Sequence, residues 1–168
     1  MHFIGIFASN VVFQDIRRHV MRMLKRNDLE FININASNIE NMRNITFETI
    51  VLSNQINMST PQKDFVNQIC NHCKYVIINS DICTGTQIIP DKMVNCITYG
   101  LNQKSTITIS SIQNDKAIIY LQRNIKNIEE NEIEMGEVSI NLKEYEQVSI
   151  EDLLAIFSIY FIYKQEND

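Results

Sequence analysis

Short apolar runs alternate with helical patterns in the N-terminal part of the chain. Each run is bounded by polar residues and is typical of a buried strand. The predicted strands are Phe3 to Phe7, Glu30 to Ile34, Glu48 to Ser53, Lys74 to Asn79 and Val94 to Tyr99. Because apolar strands that alternate with helices form parallel sheets buried on both faces, the pattern predicts an α/β fold with helices on both sides of a mostly parallel sheet.

The first predicted helix has an apolar side and a basic side. Apolar residues recur at helical spacing at Phe13, Ile16, Val20, Met23 and Leu24. The opposite side carries the cations Arg18, Arg22, Lys25 and Arg26. Cations favour the last turns of a helix, so we interpret them as a solvated face, with binding of an anionic partner as the alternative.

Apolar and polar residues alternate with a period of two after Tyr99. The alternation runs through Ile107–Ile109, Ala117–Leu121 and Val138–Leu142. This period predicts an antiparallel meander with one buried face, added to the parallel sheet. Between the second and third of these segments lie the acidic residues Glu129, Glu130, Glu132 and Glu134. These four acidic residues predict that the connection between the two segments is a solvated loop.

Two helices have recognisable starts. Thr60 is the expected cap of a helix with Pro61 at its first position. Ser149 and Asp152 form a capping-box-like pair at the start of the final helix.

The final helix is apolar nearly all round from Leu153 to Tyr163. Such a helix is buried by its own domain, by a partner, or by both. We expect one domain face to cover only part of it, which predicts a homodimer or another protein partner. The expected contacts are Phe157, Tyr160, Phe161 and Tyr163. The alternative is a helix sunk wholly in its own core.

Bulk properties exclude several classes of function. The 168 residues fit one domain, residues 1–168. A net charge of −5 does not favour a general nucleic-acid or anionic-membrane role. The run from Leu153 to Tyr163 is too short for a membrane span. The start, Met1 to Phe7, reads as a strand rather than a signal peptide, which predicts a cytoplasmic protein.

The cysteines raise the possibility of a metal or redox site. Cys70 and Cys73 form a Cys-x-x-Cys, and Cys83 and Cys96 would complete a zinc ligand set. A second Cys-x-x-Cys is missing, however, and Cys96 falls in an apolar strand. Buried, reduced, metal-free thiols are therefore expected, with zinc or a thiol redox pair as the alternatives.

Several strand ends carry a family resemblance. Phe47 to Asn54 looks like a strand that ends in a Thr-Asn pair, and Tyr75 to Asp81 is similar to one that ends in Asn-x-Asp-Asp. Ile97 to Gly100 resembles a Thr-Tyr-Gly strand. With the meander and last helix in the same order, the chain resembles the central ATP-binding domain of the Mur ligases and their folylpolyglutamate-synthase relatives. The resemblance implies that Asn79 and Asp81 lie near a nucleotide base, whereas the simpler interpretation is that they cap the strand end.

The chain departs from that family where catalysis requires it. The family's Gly-Lys-Thr/Ser phosphate loop is replaced by Phe7 to Phe13, which holds neither glycine nor lysine. The family's Asp-His is replaced by Gln55 to Met58, the second Asp of Asn-x-Asp-Asp by Ile82, and the Gly-x-His-Asn before the last helix by Tyr145 to Ser149. We therefore expect no cofactor and no ligase activity.

These observations predict a non-catalytic, degenerate Mur-ligase-like domain that acts through protein contacts. The alternative is a nucleotide-binding or sensing module that does not hydrolyse its ligand. An active ligase or ATPase is the least favoured reading.

Overall fold

The chain alternates strands and helices up to Tyr99 and then forms antiparallel strands and one more helix. The computed structural model describes residues 1–53, 59–82 and 94–165. In these residues the helices are α1 (Asn10–Leu24), α2 (Thr60–His72) and α3 (Ile150–Tyr163), with 3₁₀ turns at Ile39–Asn44 and Leu142–Tyr145. The strands are β1 (His2–Phe7), β2 (Leu29–Ile34), β3 (Thr49–Leu52), β4 (Tyr75–Asn79), β5 (Asn95–Tyr99), β6 (Ile107–Gln113), β7 (Lys116–Leu121), β8 (Ile125–Lys126), β9 (Glu132–Ile133) and β10 (Gly136–Asn141).

One eight-stranded sheet has the order β10-β7-β6-β5-β4-β3-β1-β2. The strands from β2 to β5 pair in parallel, and a single parallel pair, Tyr99 with Ile107, joins β5 to β6. The β6–β7 and β7–β10 pairs are antiparallel. The predicted fold class, a mostly parallel sheet with an antiparallel extension and a final helix, is confirmed.

Helices cover both faces of the parallel part. The core cluster on one face joins α1 and α3 to strand residues such as Ile6, Val51 and Ile77. The cluster on the other face joins α2 to Ile50 and Val76. Neighbouring residues of β3 and β4 belong to opposite clusters, which explains why these strands read as continuous apolar runs.

Helix α3 lies inside its own domain. It packs on α1 and on strands β4, β5 and β6. Phe157, Phe161 and Tyr163 are 2%, 3% and 0% exposed, and only Tyr160 is half-buried. The predicted exposed stripe is therefore wrong for Phe157, Phe161 and Tyr163, because this one chain already covers them. The alternative of a helix sunk in its own core describes α3 better.

The carboxyl end of α3 is tied to β3 and to the segment between α1 and β2. The hydroxyls of Tyr163 and Thr49 share a buried hydrogen bond of 2.7 Å. Arg26 donates through Nη1 to the Tyr163 carbonyl at 3.0 Å and pairs with Asp28 at 2.5 Å. The hydrogen bond from Arg26 lowers the pKa of Asp28 to about 2. Three of the four cations of the basic helix side thus have partners within the protein, since Arg18 pairs with Asp15 at 2.6 Å and Arg22 donates to the Glu144 carbonyl at 3.3 Å.

The acidic connection is folded rather than merely solvated. Strands β8 and β9 form a short antiparallel hairpin, and the carboxylates of Glu129, Glu130, Glu132 and Glu134 are exposed. Between the strands, Asn127 and Ile128 are buried. The Ile128 amide donates to the carbonyl of Ile162 in α3 at 2.8 Å, and Lys74 Nζ donates to the Ile128 carbonyl at 2.8 Å. The prediction missed this hairpin because its contacts are made with distant parts of the chain.

The helix starts agree with the sequence to within one residue. Helix α2 is capped by Ser59, which forms a capping box with Gln62, rather than by Thr60. At α3, Ser149 Oγ accepts from the Asp152 amide, as predicted. No helix in the described part of the chain is both long and apolar enough to cross a membrane.

Candidate functional site

The carboxyl ends of β1, β3, β4 and β5 lie next to each other at one end of the parallel sheet, where α/β proteins commonly bind ligands. Helices α1 and α2, which follow the neighbouring strands β1 and β3, lie on opposite faces. The sheet therefore reverses its direction of winding between β1 and β3. At this point Ser53 Oγ donates to the Phe7 carbonyl at 2.6 Å, so the two strand ends are bonded to each other.

The turn at the end of β1 is short and already occupied. Only Ala8 and Ser9 separate β1 from α1. Ser9 caps α1, and its Oγ accepts from the Val12 amide at 3.4 Å. Asn10 Oδ1 accepts from Asn33 Nδ2 at 2.7 Å. A phosphate-binding loop wraps its ligand with several successive amides, and this turn is too short to do so. The neighbouring segment Gln55 to Met58, which replaces the family's Asp-His, lies outside the described residues.

Asn79 and Asp81, the two residues predicted to lie near a nucleotide, act together at the end of β4. Asn79 Oδ1 accepts from the Asp81 amide at 3.0 Å, closing an Asx turn. The Asp81 carboxylate reaches across to the end of β5 and accepts from the Leu101 amide at 2.6 Å. Both side chains thus cap a strand end, which is the simpler of the two interpretations of the sequence.

A hydroxyl cluster that the sequence did not single out lies beside them. Ser80 Oγ donates to the Tyr99 carbonyl at 3.0 Å and lies 2.6 Å from Ser105 Oγ. Asn102 Nδ2 donates to Ser80 Oγ at 3.2 Å. These contacts bind the β4 end to the β5–β6 connection. The only sequence signal for them was the glycine turn at Gly100.

One polar atom in this region has no partner among the residues that the structure describes. Asn79 is fully buried, and its Nδ2 makes no hydrogen bond to the described residues. An unpaired buried amide donor typically costs about 1–3 kcal/mol. Such a group marks a place where an acceptor atom of a small ligand or a water would be stabilising.

Gly100 allows the Asp81 contact to form. Its φ of +154° is one that residues with a side chain rarely adopt. A Cβ at this position would lie 2.6 Å from Asp81 Oδ2 and 2.8 Å from Asp81 Cγ. The glycine is therefore required both by the backbone conformation and by the close approach of the carboxylate.

Gly100→Ala is expected to lower the free energy of unfolding by about 1–3 kcal/mol, because the new methyl group must displace the Asp81 carboxylate from the Leu101 amide. Urea unfolding measures the loss, and faster hydrogen exchange at Leu101 locates it. Gly136→Ala is the matched control, since a Cβ there would meet no atom within 4 Å. Equal losses in the two variants would contradict this account of Gly100.

The cysteines do not assemble into a site among the described residues. Cys70 is fully buried, and burial raises the pKa of its thiol. Burial likewise raises the pKa of Cys73 to about 12, and its Sγ donates to the carbonyls of Cys70 and Tyr75 at 3.1 Å. Cys96 is exposed, and Cys83 lies outside the described residues. Over the ranges that are described, no group of three or more His, Cys, Asp or Glu side chains could hold a metal ion.

The comparisons with known proteins leave the family open. Neither a protein-family model nor a curated protein sequence matches this chain.

Proposed function

We propose that this chain is a non-catalytic domain, a degenerate relative of the Mur-ligase central domain, that acts through protein contacts. One observation carries the proposal. At the carboxyl ends of the strands, where a ligase would hold its nucleotide, the side chains of Asp81, Ser80 and Ser9 form hydrogen bonds with the protein's own backbone.

Catalysis of phosphoryl transfer depends on positioning and charge stabilisation. It needs amides that face the phosphates, a lysine that holds them and oxygen ligands for Mg²⁺. The turn Ala8–Ser9 supplies no lysine, and the carboxylate of Asp81 is held against Leu101. The order of parallel strands, antiparallel extension and α3 supports the resemblance, while these losses support the absence of catalysis.

The purified protein is expected to show no saturable binding of Mg·ATP by calorimetry and no phosphate release. A ligand present at about 100 times its Kd would stabilise the fold by roughly 2.7 kcal/mol, so thermal unfolding with Mg·ATP or Mg·ADP is a sensitive second measurement. Asp81→Asn is the control variant, since it removes the charge of the carboxylate but keeps the size of the side chain. Mg²⁺-dependent turnover that Asp81→Asn abolishes would overturn the proposal.

A second candidate is a nucleotide-binding or sensing module without hydrolysis. The unpaired Nδ2 of buried Asn79 favours it, because a ring nitrogen or carbonyl oxygen of a base would satisfy this donor. Saturable binding of ADP without phosphate release, lost in Asn79→Ala but retained in Asp81→Asn, would select this candidate.

The protein contacts proposed here involve a homodimer or a different protein. Because Phe157, Phe161 and Tyr163 are at most 3% exposed, a partner must make most of its contacts with other residues. Sedimentation velocity over the micromolar range distinguishes a self-associating chain from a monomer that needs a different partner.

A further inference from the structure

Strand β10 is one edge of the large sheet. It pairs with β7 alone among the described strands, and Glu137, Ser139 and Asn141 are exposed. One hydrogen bond shows which residues of β10 bond to β7: the Leu142 amide donates to the Asp115 carbonyl at 2.7 Å. Because bonded and non-bonded residues alternate in an antiparallel pair, Val138 and Ile140 bond to β7. The amides and carbonyls of Glu137, Ser139 and Asn141 therefore face outward.

This edge has few of the features that usually prevent strand addition. Natural edges are protected by charged side chains (most often lysine), by proline, by bulges or by a covering element. The one charged side chain of this strand is Glu137. Gly136–Asn141 contains neither proline nor lysine, and its register with β7 is continuous. The irregularity in this part of the sheet lies between β6 and β7 instead. A Cβ added at Gly136 would meet no atom of the described residues within 4 Å, so on that side the start of the strand is open.

A groove runs along the open edge. A cavity of about 320 Å³ is lined by the consecutive residues Val138 to Asn141. Its other wall is formed by side chains from α1, the second 3₁₀ turn and α3, namely Met23, Glu144, Tyr145, Phe157 and Tyr160. The half-buried side chains of Val138 and Ile140 pack on the core cluster that contains these aromatic residues.

We propose that β10 binds an extended peptide of a partner protein as an additional strand. Main-chain hydrogen bonds to Glu137, Ser139 and Asn141 would supply affinity, and the groove between β10 and α3 would take alternate apolar side chains. The inference rests on the proposed function, since it names the surface and the kind of partner for a domain that acts through protein contacts.

The charge around the groove selects a cationic peptide. Glu137 in β10, Glu144 in the groove wall, and Glu134 and Glu146, which are close to these elements in the chain, are all exposed. Of the nearby cations, Lys143 pairs with Asp115 at 2.8 Å and Arg22 donates to the Glu144 carbonyl at 3.3 Å, whereas Lys116, opposite Asn141 on β7, is exposed and leaves the acidic residues in excess. A second copy of this chain, with a net charge of −5 and the same acidic edge, is a poorer match than a strand bearing lysine or arginine.

The test uses a capped synthetic peptide of alternating lysine and apolar residues, Lys-Val-Lys-Phe-Lys-Val-Lys, titrated into the full chain at physiological salt. The matched probe is the same peptide with every backbone amide N-methylated, which keeps the charge and the apolar side chains but removes the donors. We expect the first peptide to bind and the second to fail. Equal binding of both would indicate charge attraction alone and would overturn the proposal, as would no binding of either.

Two protein variants locate the site. Ser139→Pro removes an outward amide that β7 does not use, a position where edge strands tolerate proline, and is expected to weaken binding about tenfold or more. Ser139→Thr retains the amide and is expected to bind like the parent. Tyr160→Ala alters the groove wall and tests the site independently if Ser139→Pro unfolds. Unchanged affinity in both Ser139→Pro and Tyr160→Ala would overturn the proposal.

Two further outcomes separate this inference from the function on which it rests. Concentration-dependent dimerisation that Ser139→Pro abolishes would make a second copy the occupant and overturn the cationic-peptide assignment. Failure of the peptide with a protein that still neither binds nor hydrolyses Mg·ATP would overturn only the β10 site. Turnover of Mg·ATP would instead overturn the proposed function.

Discussion

Replacing Phe157 by alanine is expected to lower the free energy of unfolding by about 3–5 kcal/mol. The ring is 2% exposed and lies among other aromatic rings, with centroid distances of 6.1 Å to Tyr145, 5.9 Å to Tyr160 and 6.3 Å to Phe161. The variant loses this buried area and leaves a cavity between α3 and its neighbours. Urea unfolding followed by circular dichroism measures the change.

The control for Phe157 is Ile112→Ala. Ile112 is 51% exposed in β6, so its truncation is expected to cost well under about 1 kcal/mol. The loss in Phe157→Ala should also be independent of protein concentration, because the ring is buried within one chain. If the loss in free energy of unfolding grew on dilution, Phe157 would lie in an interface between chains, which would contradict its burial within one chain.

Asn127→Ala is expected to cost about 2–4 kcal/mol, because this buried side chain holds the turn between β8 and β9. Its Oδ1 accepts from the Glu129 amide at 3.0 Å and from the Asn131 amide at 2.9 Å, and its Nδ2 donates to the Lys164 carbonyl at 3.4 Å. Alanine leaves those two amides without the acceptor that Asn127 supplies and removes the donor to Lys164. Unfolding by urea gives the total cost, and hydrogen exchange at Glu129 and Asn131 shows where it arises.

The matched control is another asparagine of the same connection. Asn124 is exposed, with Nδ2 donating to Glu132 at 2.9 Å and Oδ1 accepting from the Met135 amide at 2.9 Å. Water can replace these contacts, so Asn124→Ala is expected to cost about 1 kcal/mol or less. If both variants lost the same stability, the hairpin would not depend on the buried position of Asn127.

The local sequence pattern was sufficient to predict the strands of the sheet. It was insufficient to predict how the apolar helix α3 is buried. Strands β1 and β4 were predictable because a strand buried on both faces is apolar at nearly every position, as in residues 3–7 and 75–78. The burial of Phe157 was not, because an apolar helix looks the same whether its own domain or a partner covers it. Only the packing of α3 on α1 and the central strands distinguishes the two cases.

The candidate site was predictable in part for the same reason. Asn79 is the last residue of a buried strand and Asp81 follows it closely, so their position at the carboxyl end of the sheet could be predicted from the sequence. Their partners could not, because the bond between Asp81 and Leu101 spans 20 residues and depends on the register of β4 against β5. The choice of Ser59 over Thr60 as a helix cap is a smaller case, in which two adjacent hydroxyls offer equivalent local signals.

The position of α3 has a consequence for how the chain is made. A ribosome releases the strands before the helix, yet α3 covers β4, β5 and β6 and follows them all in the chain. Until Ile150–Tyr163 has left the exit tunnel, the apolar surface of β4, β5 and β6 on which α3 packs has no cover from this helix. Synthesis at roughly 5–20 residues per second leaves that surface open for seconds, long enough for a chaperone or a neighbouring nascent chain to bind it. This part of the sheet face is therefore covered only when α3 docks on it, after all the strands beneath it have been made.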